Sequence, residues 1–399
     1  MTLTDSLTRP ARIRRTSRDG GDTAWSRIDG RGATKIYVRI RPAAAGGFED
    51  QVREIYRKLQ ALLWEEGAGP ENVVSEKVFF RRLEAQVEAF RHVRDDFYAP
   101  WGASRPATTY LHQPPCGSGA DLELQARVLF AAGPDAMTVR DLGLPEPAAG
   151  KIVSFRGYEH VYLHNLSGGV PRDGLSYRQQ MERVFDGADR VLTRLGMSFQ
   201  DVIRTWIYLV DMERDYADLN RARNAFFERI GLARIPASTG IQGGVYPCDR
   251  GGSMDLYAFR TERPVEVEQM HARTLNEAWD YGSSFARGMR VTREDRTVLY
   301  LSGTASVDTR GEVVHVGDIE GQVHRMLLNV EELLAGSGAG PSDVIRATTY
   351  LKYAEDFDTF RRVYAERGFP SDLPHTICHA DVCRPDWLVE IEVAAILPA

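Results

Sequence analysis

The chain has 399 residues, which at about 150 per domain predicts two to three domains and excludes one small fold. Hydrophobic residues make up 43% and charged residues 27%, as in a folded globular protein and unlike a disordered or collagen-like chain. Fifty Lys and Arg against 56 Asp and Glu leave a net charge of -6, so no positive surplus exists to neutralise nucleic-acid phosphates.

The opening residues, MTLTDSLTRPARIRRTSRDGG, lack the apolar core of a signal peptide, and no later apolar run reaches membrane-spanning length. Four cysteines (Cys116, Cys248, Cys378 and Cys383) are too few for a disulfide framework in so long a chain. The expectation is a cytoplasmic protein in a reducing compartment, with no membrane or nucleic-acid partner. Arg9, Arg12, Arg14, Arg15 and Arg18 read as part of a solvated, flexible tail over residues 1–33.

Beyond the tail, TKIYVRIRP reads as a strand, and EDQVREIYRKLQALLWEEGAGPENVVSEKVFF (49–80) as an amphipathic helix, a Gly-Pro turn and a strand. A second helix follows in VEAFRHVRDDFY. The unit recurs as SYRQQMERVFDGADRVLTRLGMSFQDVIRTWIYL with YADLNRARNAFFERIG, and as IEGQVHRMLLNVEELLAGSGAGPSDVIRATTYL with FDTFRRVYAERG. The turns EGAGPENVV, LGMSFQDVI and SGAGPSDVI align without gaps. A strand pair precedes the first helix of the second and third units, in the latter TVLYLSGTASVDTRGEVVHVGD; the first unit reads as trimmed.

Each unit ends on a strand pair in which a cysteine precedes a carboxylate by seven residues: Cys116 and Glu123, Cys248 and Asp255, Cys383 and Glu390. This repeated spacing predicts three homologous units, at residues 34–150, 151–266 and 267–399. The fold class is α+β, each unit β(β)αβαββ, with helices on one face of a small sheet. The other sheet faces would close about a pseudo-threefold axis, giving an intramolecular counterpart of a trimer with pockets at the seams.

The GAGPSDVIRATTYL turn and strand, the flanking helices and the terminal VEIEVAAI strand resemble the Rid family, also called YjgF, three times over residues 34–399. The resemblance implies a chorismate mutase-like fold and active sites at interfaces between units. RTWIYL, YGSSFAR, LSGTASVDTRGEVVHVGD and DVCRPDWLVEIE look most like the multi-domain branch that includes chorismatases, enzymes that remove pyruvate from chorismate. Deaminating Rid enzymes carry an Arg fifteen residues before the strand carboxylate, as a carboxylate clamp. Here that position is Thr108, His375 and either Gly240 or, with a two-residue insertion, Ser238, so the usual deamination is not expected.

Glu390 and Glu392 lie on one face of an apolar strand, which predicts that one is buried. Burial would raise its pKa and keep it protonated as a general acid; a solvated edge or a structural hydrogen bond is the alternative. The chorismatase resemblance implies that Glu390 is the acid and that Cys383, seven residues before it, belongs to the hydroxybenzoate-forming type. From the residues alone Cys383 reads as a nucleophile, a pocket wall or a small packing residue. The spacing of His375, Cys378, His379 and Cys383 matches no usual zinc site, and the glycines of LSGTAS and IQGGVYP match no phosphate loop. No metal and no cofactor are expected.

An anionic substrate needs fixed cations. Arg204, Arg223 and Arg287 are the candidates, with Tyr208 and Tyr216 beside them and Gly303, Thr304, Ala305 and His375 shaping the pocket. For any single Arg a surface charge or salt bridge is the alternative. Together they predict a carboxylate pocket between the second and third units. The functional expectation is a chorismatase-like enzyme of secondary metabolism, acting on a small enol-ether carboxylate as a monomer with internal symmetry; a dimer is the alternative assembly. Two other readings stay open: a Rid-fold enzyme that dehydrates, cyclises or deaminates another reactive intermediate, and a Rid-like binding or scaffold protein without turnover.

Overall fold

The computed structural model describes residues 12–398 except 44, 103, 133–136 and 170. Three sheets follow one another along the chain. The first unit contains β1 (Arg12–Arg18), β2 (Thr23–Asp29), β3 (Gly32–Ile40), α1 (Phe48–Glu65), β4 (Val73–Phe80), α2 (Leu83–Tyr98), β5 (Ala107–His112) and β6 (Leu122–Ala132). The second contains β7 (Met137–Asp141), β8 (Ala149–Phe155), β9 (Tyr158–Leu166), α3 (Tyr177–Arg194), β10 (Val202–Leu209), α4 (Met212–Arg229), β11 (Ala237–Gln242), β12 (Gly244–Val245) and β13 (Gly252–Thr261). The third contains β14 (Glu266–Gln269), β15 (Gly288–Arg293), β16 (Arg296–Leu301), β17 (Thr304–Ala305), α5 (Ile319–Ala335), β18 (Val344–Leu351), α6 (Phe357–Glu366), β19 (His375–His379) and β20 (Val389–Pro398).

The strand orders are β1-β2-β3-β6-β4-β5, β7-β8-β9-β13-β10-β11 and β14-β15-β16-β20-β18-β19, the same topology three times. In each, an antiparallel meander leads to the last strand, then to a parallel pair bridged by the second helix. Side-chain alternation splits each central strand between two cores. On β10, Ile207 and Leu209 pack under α3 and α4, whereas Trp206 and Tyr208 enter the cluster between units.

The parallel edge strands are covered by the neighbouring units, which removes three exposed edges. β12 pairs with β5, Ala237 of β11 bridges Ala286, and Pro115 bridges Cys378 of β19. The seams therefore run from first unit to second, second to third and third to first, as the threefold closure requires.

Three expectations are corrected. The segment read as a flexible tail forms β1 and β2, because its alternating side chains complete the first sheet: Arg14 pairs with Glu66 at 2.6 Å, Arg18 with Glu65 at 2.6 Å, and Arg15 Nε donates to the Val344 carbonyl at 2.9 Å. Arg9 lies outside the described residues. The first unit is thus complete rather than trimmed. The second unit begins before residue 151, since β7 and β8 pair with each other and with β9. Among the described residues no helix is long and apolar enough to cross a membrane.

Candidate active site

Glu390 sits on β20 opposite Tyr350, and Glu392 opposite Thr348, one pleat further along the same face. Both are 4% exposed, yet their surroundings differ. Glu392 accepts hydrogen bonds from Arg204 Nη2 at 2.7 Å, Trp206 Nε1 at 2.8 Å and Thr239 Oγ1 at 2.7 Å. Burial disfavours its ionisation, but Arg204, Lys77 and Arg346 overcome this and hold its carboxyl below the usual range. Burial pushes Glu390 up to about 8, and the charge of Glu392 adds to the rise against the pull of Arg204 and Arg287. Of two adjacent carboxyl groups, one stays ionised and the other is an acid at neutral pH.

Glu390 faces a cavity between the second and third units. Arg223 from α4 and Arg287 from the strand-entry loop line it, 3% and 4% exposed, with their guanidinium carbons 5.8 and 5.4 Å from the Phe285 ring. Arg287 Nε donates to the Asn276 carbonyl at 2.8 Å and its Nη2 to Asn276 Oδ1 at 3.0 Å; Arg223 Nη2 donates to Asn220 Oδ1 at 2.6 Å. These bonds fix two buried guanidinium groups beside a neutral acid, an arrangement suited to an anion. Tyr216, Cys383 and Trp387 line both this cavity and a wider outer cleft reaching Lys352 and Arg384, which gives it a route to solvent.

Gly303 makes the approach to Glu390 possible. A Cβ there would lie 1.8 Å from Glu390 Oε1, so any larger residue would push the carboxyl out of its place. The Gly303 amide donates to Thr239 Oγ1 at 3.0 Å, which ties this turn to the Glu392 network across the seam. Cys383 Sγ contacts the Gly240 carbonyl at 3.1 Å, and burial, then Glu390, push its thiol far up. A neutral thiol donor is a pocket wall and a poor nucleophile.

Of the residues singled out from sequence, Tyr216, Arg223, Arg287, Gly303, Ala305, Cys383 and Glu390 converge on this cavity. Four do not. Arg204 is consumed by Glu392 and Thr239. Tyr208 is fully buried behind it. Thr304 points to the opposite pleat, donating to the Ser302 carbonyl at 3.0 Å. His375 lines a different cavity, between the third and first units. Sequence reasoning passed over Phe285, Trp387 and Val307, which stand within or beside quoted motifs but carry no mark that separates a pocket wall from a core residue.

The equal Cys-to-carboxylate spacing is also corrected. Glu390 and Glu123 pair with the seventh residues of β18 and β4, Tyr350 and Phe79, whereas the seventh residue of β10, Tyr208, pairs with Ser253. Asp255 faces Trp206 instead and corresponds to Glu392. Sequence distance across an irregular loop does not count pleats, and Cys248 is exposed where Cys116 is buried. In the first-to-second seam Asp255 Oδ1 accepts from Thr109 Oγ1 at 2.7 Å and the Asn165 amide at 2.9 Å, and its Oδ2 lies 3.5 Å from Lys77 Nζ.

The Endoribonuclease L-PSP family profile matches residues 159–247 and 284–397. The chain is 29% identical over 269 residues to the 3-hydroxybenzoate synthase of Streptomyces hygroscopicus, covering 58% of this chain and 75% of that protein. It is 28% identical over 252 residues to a chorismatase of Streptomyces rapamycinicus, covering 56% and 72%. A crystal structure of a chorismatase superposes with a TM-score of 0.60 at 18% identity, covering 92% of this chain and 99% of that one, so the three-unit architecture is shared. With a repeated Rid topology, seam pockets and a family match over half its length, the chain belongs to the Endoribonuclease L-PSP family, the Rid or YjgF family, in its three-unit chorismatase-like form.

Proposed function

We propose that the chain is a chorismatase-type enzyme that releases pyruvate from chorismate or a related enol-ether carboxylate in the Glu390 cavity. The observation that carries this reading is the pairing of a buried acid, held protonated at neutral pH, with two buried arginines in one cavity. Glu390 donates its proton to the enolpyruvyl methylene carbon, which becomes a methyl group and leaves an oxocarbenium-like carbon. Water or a neighbouring hydroxyl of the substrate adds to that carbon and returns a proton to the Glu390 carboxylate. With water, the resulting hemiketal breaks its bond to the ring oxygen, giving pyruvate and the ring alcohol.

Arg223 and Arg287 hold the substrate carboxylates, and Phe285 and Trp387 flank the ring. Glu392 keeps its charge next to the reacting centre and raises the proton affinity of Glu390. The names of the two Streptomyces relatives support the substrate class. The single chain is the working unit in this reading, because the seams that a trimer makes by assembly lie within it; sedimentation at the 44.7 kDa monomer mass tests this. The test of function is pyruvate formation from chorismate, followed by reduction with lactate dehydrogenase, while the ring product is identified by chromatography. Release by the wild type no faster than by Glu390→Gln would overturn the proposal.

A further inference from the structure

A small cavity of about 40 Å3 lies where the three sheets meet, lined by Tyr37, Lys77 and Arg127 of the first unit, Tyr162 and Trp206 of the second and Arg346 of the third. It shares no lining residue with the Glu390 cavity. Its walls carry cations linked through shared rings. The guanidinium carbon of Arg127 is 4.6 Å from the Tyr162 ring and 5.4 Å from Tyr37, and that of Arg346 is 5.4 Å from Tyr37 and 5.6 Å from Trp206. Lys77 Nζ lies 4.1 Å from the Trp206 ring.

The carboxylates around this space are engaged elsewhere. Glu392 accepts from Arg204 at 2.7 Å, Asp255 faces Lys77 at 3.5 Å and accepts from Thr109, and Asp295 pairs with Arg296 at 2.8 Å. Glu76, on the opposite pleat of β4, accepts from Tyr98 at 2.8 Å. Among the described residues no ion pair engages Arg127 or Arg346, and the Nε of each is buried without a hydrogen-bond partner. Lys35 on β3 adds to the excess: burial, then Arg127, Arg293, Arg296 and Arg346, push its ammonium well down. Aromatic faces offset such charges only in part, and buried like charges without counter-charges are costly.

We propose that this axial cavity is an anion site, which holds a small inorganic oxyanion of the sulfate or phosphate type against Arg127 and Arg346. The volume admits a few water-sized atoms and no ring-bearing substrate. Two guanidinium groups with unused N–H donors favour an ion that presents several oxygens over a monatomic one. The ion is structural in this role: it offsets the repulsion that closing the three sheets about the axis creates.

The probe is sodium sulfate, compared with sodium chloride at matched ionic strength in urea titrations of the full chain. An ion bound only by the folded state raises the folding equilibrium constant about tenfold for each tenfold rise in sulfate above its Kd, a dependence expected to begin below about 10 mM. The general exclusion of sulfate from protein surfaces acts on every variant alike and cancels in the comparison. Arg127→Met and Arg346→Met each lose the sulfate response, and in sulfate-free buffer neither is less stable than the wild type, since each removes a repelling charge. A wild-type crystal grown with selenate carries an anomalous peak beside Arg127 and Arg346. A wild-type response no larger than that to chloride, a response kept by both variants, or a selenate crystal without that peak overturns the proposal. None of these readouts uses turnover, so they stand apart from the test of the Glu390 reaction.

Discussion

Replacing Glu390 by Gln tests the central electrostatic claim without any substrate. In the folded protein Glu390 ionises at about 8, against 4.5 for an unburied glutamate. Its folded value is raised, so the stability it contributes is fully present below about pH 4.5 and is lost as pH rises through about 8. Each pH unit between those limits removes about 1.4 kcal/mol. The wild type therefore loses about 3 kcal/mol from this one group by about pH 7 and about 5 kcal/mol above about pH 8. Glu390→Gln keeps the shape of the side chain and carries no such loss. Burial also pushes up Glu76 and Glu123, but both are present in the two proteins and cancel in the difference. Urea titrations followed by circular dichroism at intervals from about pH 5 to about pH 9 give the difference in stability. The variant gains on the wild type steadily with pH and the gain levels off above about pH 8. Parallel stability curves would show that Glu390 is ionised throughout, and the acid role would fall.

The same group sets the rate: kcat/KM for pyruvate release is flat below about pH 8 and falls about tenfold per pH unit above it, and a rate that rises with pH instead contradicts the mechanism. Gly303→Ala drives a methyl group into Glu390 Oε1, 1.8 Å from the Cβ position, and lowers kcat about a hundredfold with a loss of about 1–3 kcal/mol in stability; near-normal turnover refutes the fit argument. Cys383→Ser retains pyruvate release within about tenfold, since the thiol is neutral and bonded to the Gly240 carbonyl, whereas a loss of about a thousandfold points to covalent catalysis. Arg204→Met leaves the Glu392 carboxylate buried without its cation and costs about 3–5 kcal/mol in denaturation midpoint analysis; the double change with Glu392→Met recovers most of that, and additive losses would refute the pairing.

The triplication, the α+β class and the order of helices and strands were legible in the sequence, because amphipathic periodicity and turn residues are local properties that repeat with the unit. The period-two pattern of LVEIEVAAI likewise placed Glu390 and Glu392 on one face. What period two cannot say is which of them keeps its charge. That was decided by residues from another unit, Arg204, Trp206 and Thr239, arriving at Glu392 and leaving Glu390 to the cavity. The pleat carrying each carboxylate also depended on strand pairing across loops, so Asp255 matched Glu390 by spacing but Glu392 by register. Likewise the N-terminal arginines looked like a solvated tail until Glu65 and Glu66, far along the chain, supplied their partners. Local chemistry sets elements and faces; partners brought together by folding set ionisation, register and which seam holds an open site.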